Sequence, residues 1–193
     1  MKIALHACCG PCALEPLDAI AAEHEVALVF ANPNIQPAEE YRLRWDTLRE
    51  WAEGAGIPVV ELPDGPDAWL DATRDVRETP GLRCPRCYSL RLDAVAAYAA
   101  QHGYDGLATT LSVSPYQDAE AIDAAGRRAA DSAGLIWLAA DHRERYAEAT
   151  RRSRELGMYR QNYCGCLPSK AQAEAERAER RAARARRRDG ASE

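Results

Sequence analysis

Five short apolar runs that do not alternate with polar residues restrict this chain more than any other feature. They fall at 3–7 (IALHA), 26–31 (VALVFA), 58–62 (PVVEL), 106–111 (GLATTL) and 135–139 (LIWLA). A strand with one wet face alternates; a strand covered on both faces does not. Helical patterns lie between the runs, at 14–23, 38–55, 87–102, 119–133 and 145–156. Within 38–55, Tyr41, Trp45, Leu48 and Ala52 recur at helical spacing. The alternation predicts an α/β fold: an open, mainly parallel sheet of about five strands flanked by helices. From 169 onward the chain reads as a long Ala/Arg/Glu helix. With 193 residues, one core is expected. The expected division is a single α/β domain over 1–170 and a basic Ala/Arg-rich helix or tail over 171–193.

Seven cysteines stand on this frame in three tight groups: Cys8, Cys9 and Cys12 in CCGPC, Cys84 and Cys87 in CPRC, and Cys164 and Cys166 in CGC. The first group falls where the first strand ends, the position at which open α/β sheets hold ligands. Packing gives no reason to cluster thiols, and a reducing compartment disfavours disulfides. Soft thiolates select zinc, Cu(I) or iron–sulfur clusters. A four-thiolate zinc site leaves three thiols over. A [4Fe–4S] cluster with a second, mononuclear metal (iron) uses all seven, and metal-free redox chemistry at CPRC is the third reading. Cys8 and Cys9 are adjacent, so in an extended segment they point apart and serve different metals or roles.

Other loop residues gather at the same sheet edge: Asn32 and Asn34 after the second run, Thr110 and Ser114 after the fourth, and Asp141, His142 and Arg143 after the fifth. Turn or capping roles compete with ligand contact for each of them. Asp141 is the candidate proton donor or hard ligand, with Tyr116 as a second proton donor. His6 and His142 read as ordinary polar residues. No apolar run approaches the roughly 18 residues of a membrane span, and residues 1–7 are too short for a secretory leader, so a cytoplasmic protein is expected. Net charge is −5, but residues 171–193 hold seven Arg against four Glu and one Asp. A basic tail on an acidic body hints at a polyanionic partner.

The motifs HACCGPC, NPNIQPAEEYRLR, CPRCYSLRL, TTLSVSPYQ and ELGMYRQNYCGC occur in that order over roughly residues 1–170. Together they resemble the cobalamin-independent epoxyqueuosine reductase family. Gln117 stands where the family often has Lys, and His142 where it usually has Phe. The resemblance implies a Rossmann-like fold of the nucleotide α-hydrolase type with a metal site in place of a phosphate loop. It also implies reduction of epoxyqueuosine to queuosine in tRNA, with electrons from an external donor. On that reading the seven cysteines are metal ligands and Asp141 and Tyr116 are catalytic. Asn32, Asn34, Thr110, Ser114, Arg143 and Arg160 contact substrate, with Arg44 and Arg42 as further phosphate contacts. Unpaired bases in RNA loops are read by stacking on aromatics, for which Tyr41, Tyr116, Tyr159 and Tyr163 are available. A zinc-binding or iron–sulfur tRNA-thiolation protein on the same scaffold is the alternative, although CCGPC offers no glycine-rich ATP cradle.

Overall fold

The computed structural model describes residues 1–63 and 65–189. Five strands, β1 (Lys2–His6), β2 (Glu25–Phe30), β3 (Val59–Glu61), β4 (Gly106–Thr109) and β5 (Ile136–Trp137), form one sheet in the order β3-β2-β1-β4-β5. All four pairings are parallel. The central strands are buried on both faces, with Ile3, Ala4, Leu5, Leu28, Val29, Phe30 and Leu107 at 0% exposure. That burial explains their unbroken apolar sequence. The chain builds outward from β1 through β2 to β3, then crosses back to β4 on the other side of β1. The crevice at the carboxyl ends of β1 and β4 is therefore the topological switch point of the sheet.

Among the described residues there are seven α-helices: α1 (Gly10–Ala21), α2 (Ala38–Gly54), α3 (Pro66–Ala72), α4 (Pro80–Gln101), α5 (Ala119–Ala133), α6 (Tyr146–Glu155) and α7 (Leu167–Asp189). Three boundaries differ from the sequence reading. Helix α1 begins at Gly10 rather than 14, because Pro11 sits in its first turn, where a missing N–H costs nothing. Helix α4 begins at Pro80 rather than 87, so CPRC lies inside the helix. Pro85 removes one bond, to the carbonyl of Gly81, which lies at an exposed residue and can be hydrated. The short helix α3 was not expected; one turn of apolar pattern around Trp69 is too little periodicity to read.

Helix α7 runs through residue 170, so the expected boundary there is not a break in secondary structure. Residues 190–193 of the expected tail lie outside the described residues. No described helix is long and apolar enough to cross a membrane.

Helix α5 is fixed over the sheet edge by a close contact. An added Cβ at Gly126 would lie 2.2 Å from the Trp137 ring, whose Nε1 donates to Asp123 at 2.8 Å. Gly126→Ala gains about 1 kcal/mol of helix propensity. Overpacking typically costs about 1–3 kcal/mol, and here it also displaces the Trp137–Asp123 bond. The variant is expected to lose about 1 kcal/mol net in urea denaturation. A variant more stable than the parent would show that the indole swings away freely.

Candidate metal centre

The first three thiols meet where β1 turns into α1. Cys9 is the extended N-cap residue of α1, and Cys12 lies in its first turn. The sulfurs of Cys8, Cys9 and Cys12 all lie within 4.8 Å of one another. Cys8 and Cys9 are 3.8 Å apart, so the adjacent pair converges instead of pointing apart. The turn from strand to helix brings them together, and the extended-strand argument does not apply. The first turn of α1 has no acidic residue and no side-chain cap. Its free N–H groups and positive dipole end therefore favour thiolate. Hydrogen bonds from Cys12 and Cys9 hold Cys8 well below the ordinary thiol range, while burial pushes Cys9 up and the hydrogen bonds to Cys8 and Cys9, then burial, push Cys12 up.

The remaining four thiols form a wider group. Cys84 and Cys87 are three residues apart on α4 and share a face. Cys164 and Cys166 come from the loop before α7. Trp69 of α3 closes over Cys87 and Cys166. Cys164, Cys87, Cys166 and Cys84 act on one another: loss of hydration first, and then Cys87, push Cys164 up to about 12. Burial likewise raises Cys84 and Cys87, with Cys166 adding to both. Gly165 seats this loop. Its backbone has φ of +151°, and a Cβ there would lie 2.6 Å from Asn34 Nδ2. The Gly165 carbonyl accepts from the Gln36 N–H at 2.9 Å.

Buried arginines tie the two thiol groups to the frame. Arg44 pairs with Glu40 at 2.7 Å and donates to the carbonyls of Cys164 and Tyr163 at 2.8 and 3.1 Å. It is 1% exposed, so it positions the CGC loop and cannot contact phosphate, contrary to the sequence reading. Arg91, one turn beyond Cys87 on α4, donates to Asn32 Oδ1 at 2.5 Å. Several buried N–H donors here reach no oxygen acceptor among the described residues: Trp69 Nε1, Arg83 Nε, and Arg91 Nε and Nη1. These donors face the thiols themselves, Arg83 against Cys84 and Trp69 and Arg91 against Cys87, an arrangement that suits an anionic metal–sulfur group.

The other expected site residues are placed as follows. Asn32 is fully used inside the protein, donating to the Ala7 carbonyl at 2.9 Å and accepting from Arg91. Thr110 accepts from the Cys8 N–H at 3.3 Å and donates to the Cys8 sulfur at 3.6 Å. Ser114 accepts from the Tyr116 N–H in a local turn. Asn34 is buried, with both amide atoms unpartnered. His6 accepts from Thr109 Oγ1 at Nδ1 and faces the Ala31 carbonyl at 3.3 Å. Burial, then Arg91, lowers its pKa to about 3, so it stays neutral.

Asp141 and Arg143 are exposed and bound to each other through both carboxylate oxygens, and Asp141 also accepts the Arg143 backbone N–H. The Arg143 guanidinium holds the Asp141 carboxyl below its usual range, an environment that disfavours proton donation. Tyr116 is 83% exposed and edge-on to Tyr146 at 6.3 Å. Tyr159 and Tyr163 are engaged with Glu40 and the Gln36 carbonyl, and Tyr41 with Glu61. Arg160 is exposed and lines a cleft of about 60 Å³ with Pro11, Cys12, Tyr146 and Gln161. A second cleft of about 280 Å³ lies at the ends of β4 and β5, lined in part by Ser112, Trp137 and Asp141.

Two contacts were missed from sequence. Gln161 donates to the Cys9 sulfur at 2.8 Å and reaches Cys12 at 3.7 Å, leaving its Oε1 unpartnered. Gln117, noted only as a departure, donates to Cys164 at 3.6 Å. No spacing rule signals either contact, since both arise from loops meeting in space.

A doubly wound parallel sheet with Cys8, Cys9 and Cys12 converging at its switch point defines a Rossmann-like protein whose thiol triad could hold a metal ion. The fold resembles a crystal structure described as a predicted subunit of tRNA methyltransferase from Methanocaldococcus jannaschii. The TM-score is 0.53 at 14% identity, over 80% of this chain and 76% of that one. The profile of the family described as epoxyqueuosine reductase QueH matches residues 3–172. Curated relatives of that name include one from Haemophilus influenzae, 33% identical over 87% of this chain and 71% of the relative. Another, from Thermotoga maritima, is 32% identical over 86% of this chain and 88% of the relative. The chain belongs to the epoxyqueuosine reductase QueH family.

Proposed function

We propose that this chain reduces the epoxide of epoxyqueuosine in tRNA to give queuosine, using iron held by its seven thiolates. The observation that carries the reading is the convergence of Cys8, Cys9 and Cys12 at the switch point, with buried N–H donors nearby that suit an anionic group. The sulfur spacing divides the ligands. Thiolates on one ion at roughly 2.3 Å stand about 3.8 Å apart, which matches Cys8 and Cys9. Cys8, Cys9 and Cys12 would thus hold a mononuclear iron with an open position. The wider set, Cys84, Cys87, Cys164 and Cys166, would hold a [4Fe–4S] cluster.

Epoxide removal takes two electrons and two protons and leaves an alkene and water. When bound, the iron–sulfur group would supply electrons one at a time, drawn from an external donor. The chain's own residues provide the setting. Gln161 and Thr110 fix the Cys9 and Cys8 sulfurs. The small cleft opens onto Cys12 and is lined by Gln161. Tyr116 and Tyr146 stand beside that cleft as a stacking platform for loop bases, with Arg160 placed for a backbone phosphate. Residues 1–170 carry all of these groups.

Anaerobic iron and sulfide analysis, followed by nucleoside analysis of epoxyqueuosine-containing tRNA treated with a one-electron reductant, tests this reading. Iron with acid-labile sulfide and conversion to queuosine are expected. Zinc without sulfide, or unchanged tRNA, would overturn it.

Asp141 supplies a sharper prediction. Held low by Arg143, it acts as a wall of the larger cleft and not as the acid. Asp141→Asn should keep iron content and raise the KM for tRNA several-fold, with kcat within about threefold. A kcat loss in the roughly 10²- to 10⁴-fold range of general acids would restore the proton-donor role.

A further inference from the structure

Arg91 is a buried cation among the thiols with no carboxylate to answer it. It is 1% exposed, and among the described residues it forms no salt bridge. The bond from its Nη2 to Asn32 Oδ1 anchors the guanidinium, because Asn32 is itself fixed to the Ala7 carbonyl. Ala7 precedes Cys8, so this tether holds the guanidinium beside the first thiol group. On α4, Arg91 follows Cys84 and Cys87 by seven and four residues, placing all three on one helix face. Its Nε and Nη1 are buried and reach no oxygen acceptor, and the Cys87 thiol is the side chain that stands against the guanidinium.

We propose that Arg91 is a positioning residue for the reaction assigned above: its fixed positive charge, held beside the first thiol group and on the helix face of the second, offsets the charge of the metal centre they hold and raises its reduction potential. An uncompensated buried charge is costly, and thiolates are the anions within reach. Burial alone would lower the Arg91 pKa, yet Cys87, Cys8 and Cys164 raise it. Those three residues come one from each cysteine motif, so a single guanidinium senses all three. Adding an electron to an anionic centre is easier beside a fixed cation, and hydrogen bonds and net charge set such potentials. Cys84, Cys87 and Arg91 therefore form one unit: two ligands and the charge that tunes them.

The inference rests on the iron reading, and its test separates the two. Wild type, Arg91→Gln and Arg91→Lys are loaded with iron and sulfide anaerobically, and their midpoint potentials are read by spectroscopic titration without tRNA. Arg91→Gln is expected to shift the reduction equilibrium at least tenfold toward the oxidised form, about 59 mV for one electron. Arg91→Lys should recover most of that shift, since it keeps the charge and loses the fork. An unshifted Gln variant, or equal shifts in Gln and Lys, would overturn the role. If Arg91→Gln does not fold, Asn32→Asp neutralises the guanidinium in place and should lower the potential as well; an unchanged potential there would overturn the role equally. If the wild type takes up zinc and no sulfide, the iron reading fails on its own. The charge role is then read as zinc affinity, expected to fall at least tenfold in Arg91→Gln and to recover in Arg91→Lys, and overturned if it does not change.

Discussion

Replacing Cys84 or Cys166 by alanine is expected to remove iron and turnover together. Each residue belongs to the four-thiol set on α4 and the CGC loop, so its loss leaves three thiols there. Losing an outer-shell partner costs roughly 10- to 100-fold in metal affinity or activity; losing a ligand should cost more than 100-fold in turnover. Iron per chain should fall in parallel, while the far-ultraviolet dichroism stays close to the parent. Ala at Cys9 or Cys12 should behave differently, reducing iron by about one atom per chain and sparing the acid-labile sulfide. Equal loss of sulfide in both series would mean that the seven thiols serve one centre and that the division by sulfur spacing is wrong.

Gly165→Ala should come close to a ligand deletion in its effect, although it touches no thiol. At φ of +151°, an L side chain is strained, and its Cβ would lie 2.6 Å from Asn34 Nδ2 and 3.1 Å from Ile35 Cγ1. Strain of this kind costs about 1–3 kcal/mol, and the clash adds to it. The loop relieves both by lifting, which breaks the bonds from Arg44 to the Tyr163 and Cys164 carbonyls and moves Cys164 and Cys166 together. Iron retention should fall at least tenfold under a chelator challenge, with the sheet intact by circular dichroism. Wild-type retention would show that the loop tolerates a side chain and that the cysteines, not the backbone, set its position.

Much of the scaffold was legible before any coordinates. Unbroken apolar runs suit strands buried on both faces of a parallel sheet, and CCGPC at the end of the first run pointed to the carboxyl edge of that sheet. The three cysteine motifs named the chemistry because soft donors cluster for metals and not for packing. Which thiols stand together was not legible. The strand rule that separated Cys8 from Cys9 fails where β1 bends into α1, and Pro85 concealed the two turns of α4 that carry CPRC.

The amino-acid sequence by itself determined the layered α/β architecture, the edge of the sheet that bears the site and the thiolate character of that site, because each follows from local pattern and donor chemistry. The tertiary structure alone decided the grouping of the thiols, the burial of Arg44 and Arg91, the ion pair of Asp141 with Arg143, and the reach of Gln161 to Cys9. These depend on contacts such as the 152-residue separation between Gln161 and Cys9. Only the crossover at β1 and β4 brings such distant segments to one crevice, and no local spacing encodes that closure.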